Sequence, residues 1–451
     1  MSNDIKIKKG LDIKLKGEAE KTTEQAIISN FYKIRPDDFH GVNPKLIVKQ
    51  GAKVKAGQPL FYDKSDEDVK FVSPVSGEIL EIARGEKRKI LALKIQADKE
   101  QTFVEHGKFN LESATAEAIK AHLLSTGCWP FIKQRPYDII AKTDGVPKAI
   151  FISGYSSAPL TADLDYVLKG KEAELQAAVT ALGKLTNGQV HVGIGSKSNS
   201  PLAGVSGVTL HRVSGPHPSG NVGTLINKIN PVNKGEVVWT VAAQDLVIIG
   251  ELLLTGKFNA ERILALAGSS VKRPRYFVTK IGSEVATMVY DNGVEKDGND
   301  RIISGTVLSG KKVEPDGYLD YYSNTITVIP EGDDYEFFGW NKPVFNKISM
   351  SRALTFSWLT PNKKFDLNTN TNGEHRAFVL TGNYEEVFPL DMFPLQILKA
   401  CKYQDLDEME ALGMYEVAPE DFALTEFICV SKQPHQAIIR KGLDVMMKEI
   451  G

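Results

Sequence analysis

The sequence predicts a multidomain α/β protein, and three observations carry that prediction. At 451 residues the chain is too long for one hydrophobic core, and its length suggests about three domains. Residues 40–97 alternate apolar and polar positions between closely spaced glycine turns, the pattern of short strands. From Lys148 onward apolar strand-like runs alternate with a helical one, a β-α-β pattern that builds a layered sheet.

Composition narrows the function. Charged residues make up 25% and hydrophobic residues 42%, as in ordinary globular proteins. A net charge of −1 argues against a general nucleic-acid binder, which carries a basic excess. Local basic stretches occur at Lys6, Lys8, Lys9, Lys14 and Lys16, and again at Arg84, Lys87, Arg88 and Lys89. A solvated face is the first reading of such cations; contact with an acidic partner or lipid headgroups is the second. The cysteines are three, Cys128, Cys401 and Cys429, an odd and scattered set that points to a reducing compartment. The start has no apolar stretch long enough for a signal peptide. The most apolar run, Asp245–Thr255, is broken by Gly250 and Glu251 and is far short of the ~20 residues that span a bilayer.

In chain order, Lys45–Gly51, Val54–Phe61, Phe71–Ile82 and Ile90–Ile95 read as strands. The run Val54-Lys-Ala-Gly-Gln-Pro-Leu-Phe61, followed by Ser73-Pro-Val-Ser-Gly77, resembles the barrel-sandwich hybrid of biotinyl and lipoyl carrier domains. Carriers hold a modified lysine at a hairpin tip, and Lys64 is the nearest candidate. It lies farther from Pro74 than the carrier spacing, beside Asp66, Glu67 and Asp68, so a docking domain is the preferred reading.

Residues 98–112 are polar and read as a linker. Ser113–Ser125 reads as a helix with Ala116, Ile119, Leu123 and Leu124 on one face, Ser113 as cap and Gly127 as stop. The elbow Gly127-Cys-Trp-Pro-Phe-Ile-Lys-Gln-Arg-Pro136 follows, where many α/β proteins hold a cofactor on a glycine-rich loop. Strand Lys148–Ser153, helix Lys171–Leu182 and strand Gln189–Gly195 suggest a Rossmann-like sheet. Gly193-Ile-Gly195-Ser-Lys-Ser198 lacks the third glycine of a dinucleotide fingerprint and reads as a turn after a buried strand. The second glycine loop, Gly215-Pro-His-Pro-Ser-Gly-Asn-Val-Gly223, can offer N–H groups to an anion; His217 between its prolines is expected to be exposed. Val237–Val241 reads as a strand and Asn259–Gly268 as a short capped helix. Arg275–Ile281 and Val285–Tyr290 read as strands joined to the turn Asp291-Asn-Gly293. Arg301–Leu308, Gly317–Leu319 and Thr325–Ile329 complete a β-rich module resembling the β-grasp, soluble-ligand-binding domain. Toward the C-terminus, Pro389–Ala400, Pro419–Val430 and Pro434–Ile450 read as helices with proline in the first turn.

No His-Glu-x-x-His, Gly-x-Ser-x-Gly, Walker A or Cys-x-x-Cys motif is present. An iron–sulfur cluster needs about four thiolates, so none is expected here. A role as one part of a complex, or as a binding protein, fits better than an autonomous enzyme.

Together, Ile7-Lys-Lys-Gly-Leu-Asp12, Val69–Gly77, Gly127-Cys-Trp129 through Arg135-Pro136, Pro147-Lys-Ala-Ile-Phe151 and Gly215–Thr224 resemble the family of the A subunit of the sodium-translocating NADH:quinone oxidoreductase. That family is related to the C subunit of Rnf complexes and the flavoprotein subunit of respiratory complex I. The resemblance implies four units: a barrel-sandwich hybrid at 1–100, a Rossmann-like α/β domain at 101–255, a β-grasp module at 256–335 and a helical domain at 336–451. It implies a peripheral subunit on the cytoplasmic side of the bacterial inner membrane, inactive alone. Its partners are the other members of a six-subunit sodium pump, especially a membrane-embedded one. NADH, flavins and iron centres belong to other subunits, and this one is linked with quinone near the exit of the electron path. The relatives carry a Gly-Gly-Ala-Gly-Phe-Pro-type flavin loop; here Gly127-Cys-Trp-Pro-Phe131 stands in its place, so no tightly bound cofactor is expected. The candidate quinone contacts are Trp129, Phe131 and Arg135 from the elbow and His217 from the glycine loop. Two alternatives stand beside this reading: a flavin-binding Rnf-type or complex I-type electron-transfer protein, and a biotin or lipoate carrier modified on Lys64.

Overall fold

In the computed structural model, residues 3–25, 29–296, 298–332, 336–339, 347–349, 357–380 and 382–451 are described. Parts of the expected helical unit 336–451, at 340–346, 350–356 and 381, lie outside them.

The glycine-punctuated strands fold into two small antiparallel sheets facing each other. One is ordered 31–34, 90–97, 77–84, 53–54; the other 44–46, 59–63, 66–72. Period-two alternation turns Phe61, Phe71, Ile79, Leu93 and Ile95 inward, all nearly fully buried, and a register shift between Pro59 and Phe61 leaves the neighbouring Leu60 buried as well. Lys64 lies on the turn between strands 59–63 and 66–72 and is exposed. That hairpin is docked rather than free, since the Asp66 carboxylate accepts the Thr143 hydroxyl of the following unit.

The second unit is a mixed seven-stranded sheet ordered 3–6, 209–214, 190–195, 149–153, 238–242, 132–135, 139–140. Strands 149–153, 190–195, 209–214 and 238–242 are parallel, and 132–135 runs antiparallel to 238–242. The second and third parallel strands lie to one side of 149–153 and the fourth to the other, so the strand order reverses beside 149–153. Strands such as Ala149–Ser153 read as continuous apolar runs because both sheet faces are covered. Helices Glu172–Lys184 and Ala243–Thr255 pack together on one face. Helix Val222–Ile229 and the C-terminal helices Pro394–Tyr403 and His435–Ile450 cover the other through Leu225, Ile226, Ile397, Leu398 and Leu443.

The third sheet is ordered 311–313, 300–304, 325–330, 261–267, 275–280, 20–25. Strands 3–6 and 20–25, although they precede the barrel in the chain, thus hydrogen-bond into the other two sheets.

Several elements differ from their sequence reading. Residues Glu261–Ala267 form a strand, not a helix. This strand is central in its sheet, so both faces are buried and the alternation that marks a half-exposed strand is missing. Ala286–Tyr290 is a short helix, not a strand. Asp291-Asn292-Gly293 is accordingly its exit turn rather than a hairpin, with Asn292 Nδ2 donating to Met288 O at 2.8 Å. The cap of helix Ala116–Ser125 is Thr115, whose Oγ1 accepts from Ala118 N, not Ser113. Helix Glu172–Lys184 continues through Gly183, and the first long C-terminal helix begins at Pro394 rather than Pro389.

A buried charge cluster ties the barrel to the third sheet. Arg35 bonds the Asp320 carboxylate and lies 3.3 Å from Asp38, whose carboxylate also accepts the Tyr321 N–H. Burial, reinforced by Asp320 and opposed by Arg35, pushes Asp38 from 3.8 up to about 6. The folded protein therefore holds an extra proton between those two values, and stability falls as pH rises from about 4 to 6. Replacing Asp38 by Asn removes this slope, which melting temperatures across that range measure; an unchanged slope contradicts the assignment.

Helix–helix packing gives a second test. A Cβ on Gly250 comes 1.9 Å from the backbone oxygen of Glu174. Gly250→Ala gains about 1 kcal/mol of helix propensity but forces the two helices apart, at about 1–3 kcal/mol. The expected result is a lower melting temperature; a higher one shows that the helices separate freely.

Candidate functional site

The parallel strands end together, and the loops that leave their carboxyl ends enclose a cleft of 580 Å³. Gly154–Ser156 follows strand 149–153, Gly195–Ser198 follows 190–195, and Ser214–Gly215 closes 209–214. Ligands in open α/β sheets lie at this edge, near the point where strand order reverses. Gly195 lets the Tyr155 ring approach, since a Cβ there stands 3.2 Å from Tyr155 Cδ2. Residues Ile13–Leu15 of the N-terminal segment and Leu160 and Leu164 supply apolar wall. Ser156 Oγ donates to Thr161 Oγ1 at 2.8 Å, and Asp165 accepts the Ser198 hydroxyl and, at 3.1 Å, the Asn199 N–H. At the rim, Lys364 pairs with Glu18 at 3.2 Å and Lys21 pairs with Asp163.

The sequence singled out the Gly193–Ser198 stretch only as a turn. It is a turn, and it is also one wall of the cleft; Tyr155, Asp163 and Asp165 carried no motif that marks them.

His217 lies beside this cleft, two residues beyond Gly215. It is buried at 2% exposure, not exposed as its flanking prolines suggested. The reason is the N-terminal segment, which straps the loop: Leu11 N donates to His217 O at 2.8 Å, and His217 N donates to Asp12 Oδ1 at 3.0 Å. Gly10 permits that approach, because a Cβ there lies 2.2 Å from His217 O. His217 Nδ1 is 3.0 Å from Ser157 Oγ, which accepts from Gly220 N at 2.8 Å. Ser157 thus links the His217 ring to the backbone of its own glycine loop. Burial lowers the His217 pKa to about 4, so the ring is neutral at physiological pH.

The elbow residues have other partners. Trp129 is fully buried, its indole N–H donating to Ala141 O at 2.7 Å and its ring meeting Trp239 edge-on at 5.4 Å. Phe131 stacks on Tyr321 at 5.3 Å and on Phe258 at 6.3 Å. Gly127, at φ +76°, abuts the barrel: a Cβ there comes 2.3 Å from Val72 Cγ1. Arg135 turns to the C-terminal unit, donating to Asp421 Oδ2 at 2.7 Å and Glu416 O at 2.6 Å, all in the interior.

The Asp421 carboxylate also explains the second glycine loop. It rests on the first turn of helix Val222–Ile229, where a Cβ on Gly223 meets Asp421 Oδ1 at 2.1 Å. A helix N-terminus favours negative charge, and here the chain's own Asp421 carboxylate supplies it. Among the described residues no group of three His, Cys, Asp or Glu side chains is arranged to hold a metal ion. No helix of the described residues is long and apolar enough to cross a membrane.

Comparison with known proteins follows the same division of the chain. Family models described as the NqrA N-terminal barrel-sandwich hybrid domain, the NqrA second alpha/beta domain and the NQRA C-terminal domain match residues 5–98, 114–258 and 263–314. The A subunit of the Na(+)-translocating NADH-quinone reductase of Neisseria meningitidis serogroup A is 36% identical over 99% of this chain and 100% of its own. The chain belongs to the NqrA family, the A subunits of Na(+)-translocating NADH-quinone reductases. The A subunits from Rhodopirellula baltica and Saccharophagus degradans are each 35% identical, over 98% and 99% of this chain and 98% and 100% of their own. Among solved structures, a chain of an NAD+-reducing [NiFe]-hydrogenase aligns with a TM-score of 0.35 and 13% identity. That alignment covers 51% of this chain and 52% of the other, too slight a likeness to build on.

The buried ion pair supplies a test within this family member. Asp421→Ala strands the Arg135 guanidinium in the interior and costs about 3–5 kcal/mol, read as a shifted denaturation midpoint. The double replacement Arg135→Met with Asp421→Leu costs less, because no charge is left unpaired. If Asp421→Ala leaves the midpoint in place, the pair does not hold the C-terminal unit.

Proposed function

We propose that the chain is the peripheral NqrA component of a sodium-pumping NADH:quinone oxidoreductase, docked on membrane subunits at the cytoplasmic face of the inner membrane and inactive alone. The observation that carries this reading is full-length similarity to proteins of that name; the lack of a membrane-crossing helix among the described residues accords with a peripheral place. In this reading residues 1–100 act as a docking barrel, 101–255 as a Rossmann-like domain, 256–335 as a β-grasp module and 336–451 as the helical unit. The strand order 209–214, 190–195, 149–153, 238–242 supports the Rossmann-like assignment.

The chain works without flavin or cluster of its own. In support, Trp129, Pro130 and Phe131 fill the space that glycines leave open in a flavin loop, and Asp421 occupies the anion position on Gly223. The thiols are committed to packing: Cys429 Sγ meets Tyr384 OH at 2.9 Å and Cys401 Sγ meets Met414 Sδ at 3.3 Å.

Quinone reaches this chain at the cleft on the carboxyl ends of the parallel strands. Leu15, Leu160 and Leu164 offer apolar contact to a quinone ring, and much of the rest of the lining is polar, with Lys14, Asp165 and Lys197 among it. His217 borders it as a neutral ring, whereas Trp129, Phe131 and Arg135 are held against Ala141, Tyr321 and Asp421 and do not line this cleft.

Two measurements check the reading on the purified full chain. Its spectrum is expected to lack a flavin band, and a stoichiometric flavin released by acid refutes the cofactor-free assignment. A short-chain quinone is expected to bind, and Ala158→Trp, which fills the cleft, to weaken binding at least tenfold. Unchanged affinity in a folded Ala158→Trp protein places the quinone elsewhere.

A further inference from the structure

The barrel carries a feature that neither its core nor the cleft uses. Strands 77–84 and 90–97 form a hairpin whose outer part stands clear of the sheet. Strand 53–54 pairs only with Gly77 and Glu78, and strand 31–34 reaches only Leu93. Beyond those points Ala83 and Arg84 pair with Ala92 and Ile90 alone, as a two-stranded ribbon whose Ile90 still packs into the core and whose tip projects from it.

The ribbon's tip is basic. Arg84, Lys87, Arg88 and Lys89 stand around one carboxylate, Glu86. Lys87 and Arg88 both adopt left-handed backbone, at φ +51° and +62°, and both are exposed. Arg84 Nη1 donates to Arg88 O at 3.1 Å, which braces the turn without neutralising it. Lys89 pairs with Asp37 at 2.8 Å, but among the described residues no ion pair takes up Arg84, Lys87 or Arg88. Leu91 lies beside the tip at 40% exposure, its Cδ1 3.2 Å from where a Cβ on Gly85 would be.

We propose that this ribbon is a membrane-surface contact, binding anionic phospholipid headgroups through Arg84, Lys87 and Arg88 with Leu91 at the acyl boundary. Charge complementarity selects the occupant. The chain as a whole is nearly neutral, at −1, so attraction to an anionic bilayer must come from local clusters such as this one. A protein partner fits poorly: stable interfaces need about 800 Å² per side and are depleted in lysine, whereas a ribbon tip offers a narrow, lysine-bearing edge. The contact goes beyond the place proposed for the chain in the sodium pump. It is tested on the purified chain and lipid alone, so its failure is separable from failure of that proposal.

The test is sedimentation of the full chain with vesicles of phosphatidylcholine alone or with about one third phosphatidylglycerol. Binding is expected only to the anionic vesicles and is lost at about 1 M salt, where charges are screened within roughly 3 Å. Each basic residue near such a surface contributes roughly fivefold in affinity. Replacing Arg84, Lys87 and Arg88 together by Gln therefore lowers binding on the order of a hundredfold. A control replaces Lys6, Lys8 and Lys9 by Gln, the same change in net charge at other exposed positions, and is expected to bind nearly as the native chain does. The proposal is overturned if the native chain ignores anionic vesicles, or if both triple variants lose binding equally. It is also overturned if the ribbon variant still binds vesicles but fails to assemble into the complex, which assigns the tip to an acidic protein partner.

Discussion

Burial of the elbow holds the molecule's parts in register, because the run from Gly127 to Arg135 touches each of them. Gly127 lies against Val72 of the barrel, and only glycine fits there. Phe131 is stacked on Tyr321 of the third unit, Trp129 is wedged on Trp239 of its own sheet, and Arg135 reaches Asp421 in the C-terminal unit. Tyr322, beside Tyr321, donates its hydroxyl to Pro130 O at 2.6 Å. Aromatic pairs of this kind contribute about 0.5–1.5 kcal/mol beyond the area they bury. The larger effect is geometric: a shift in this short run misaligns three seams at once.

The Arg135–Asp421 contact is the costly member of that set. Two charges withdrawn from water gain little over an apolar pair unless their remaining bonds are met. Here most are: Arg135 also donates to Glu416 O, and Asp421 accepts the Ala418 N–H at 2.9 Å. Asp421 Oδ1 has no hydrogen-bond partner and instead faces the helix start at Gly223, where the helix dipole favours a negative group. The pair thus joins the elbow, the glycine loop and the C-terminal unit with one carboxylate. An apolar substitute can fill the volume but cannot recognise both a guanidinium and a helix N-terminus, so position is what the charge supplies.

Where the sequence was legible, periodicity and punctuation agreed. The barrel strands alternate between glycine turns, and the central parallel strand 149–153 is an apolar run, whereas strand 209–214, Thr-Leu-His-Arg-Val-Ser, shows no such run and escaped the sequence reading. The misread stretches lack that agreement. Glu261–Ala267 is apolar on both faces and flanked by Asn259 and Gly268, which mimic helix caps. Ala286–Tyr290 alternates like a strand because one short turn of helix cannot display its period. His217 was misplaced for another reason: its burial depends on Gly10–Asp12, more than two hundred residues earlier, and no local pattern encodes such a contact. The cleft suffers the same limit. Its walls come from five separate stretches, and only Gly193–Ser198 and the glycine loop beginning at Gly215 carried a local signal.

The N-terminal segment joins these observations. Having paired as strand 3–6 with strand 209–214, it crosses the loops at the carboxyl ends and then enters the third sheet as strand 20–25. Its two sides are held by different neighbours. Against His217 it makes buried backbone bonds, and Gly10 and Gly17 press on backbone oxygens, so that side is rigid. Along the rim it is held by exposed pairs, Lys14 with Asn362, Lys16 with Asp366 and Glu18 with Lys364, and by backbone bonds from Lys16 N to Phe365 O at 3.0 Å and from Phe365 N to Lys14 O at 2.9 Å. Exposed ion pairs contribute only about 0–1 kcal/mol each. The backbone bonds and the buried Leu15, rather than these pairs, therefore fix residues 14–16 against Phe365. The same segment that completes two sheets thus forms a wall of the cleft that is fixed by backbone bonds along its length, to His217 on one side and to Phe365 on the other.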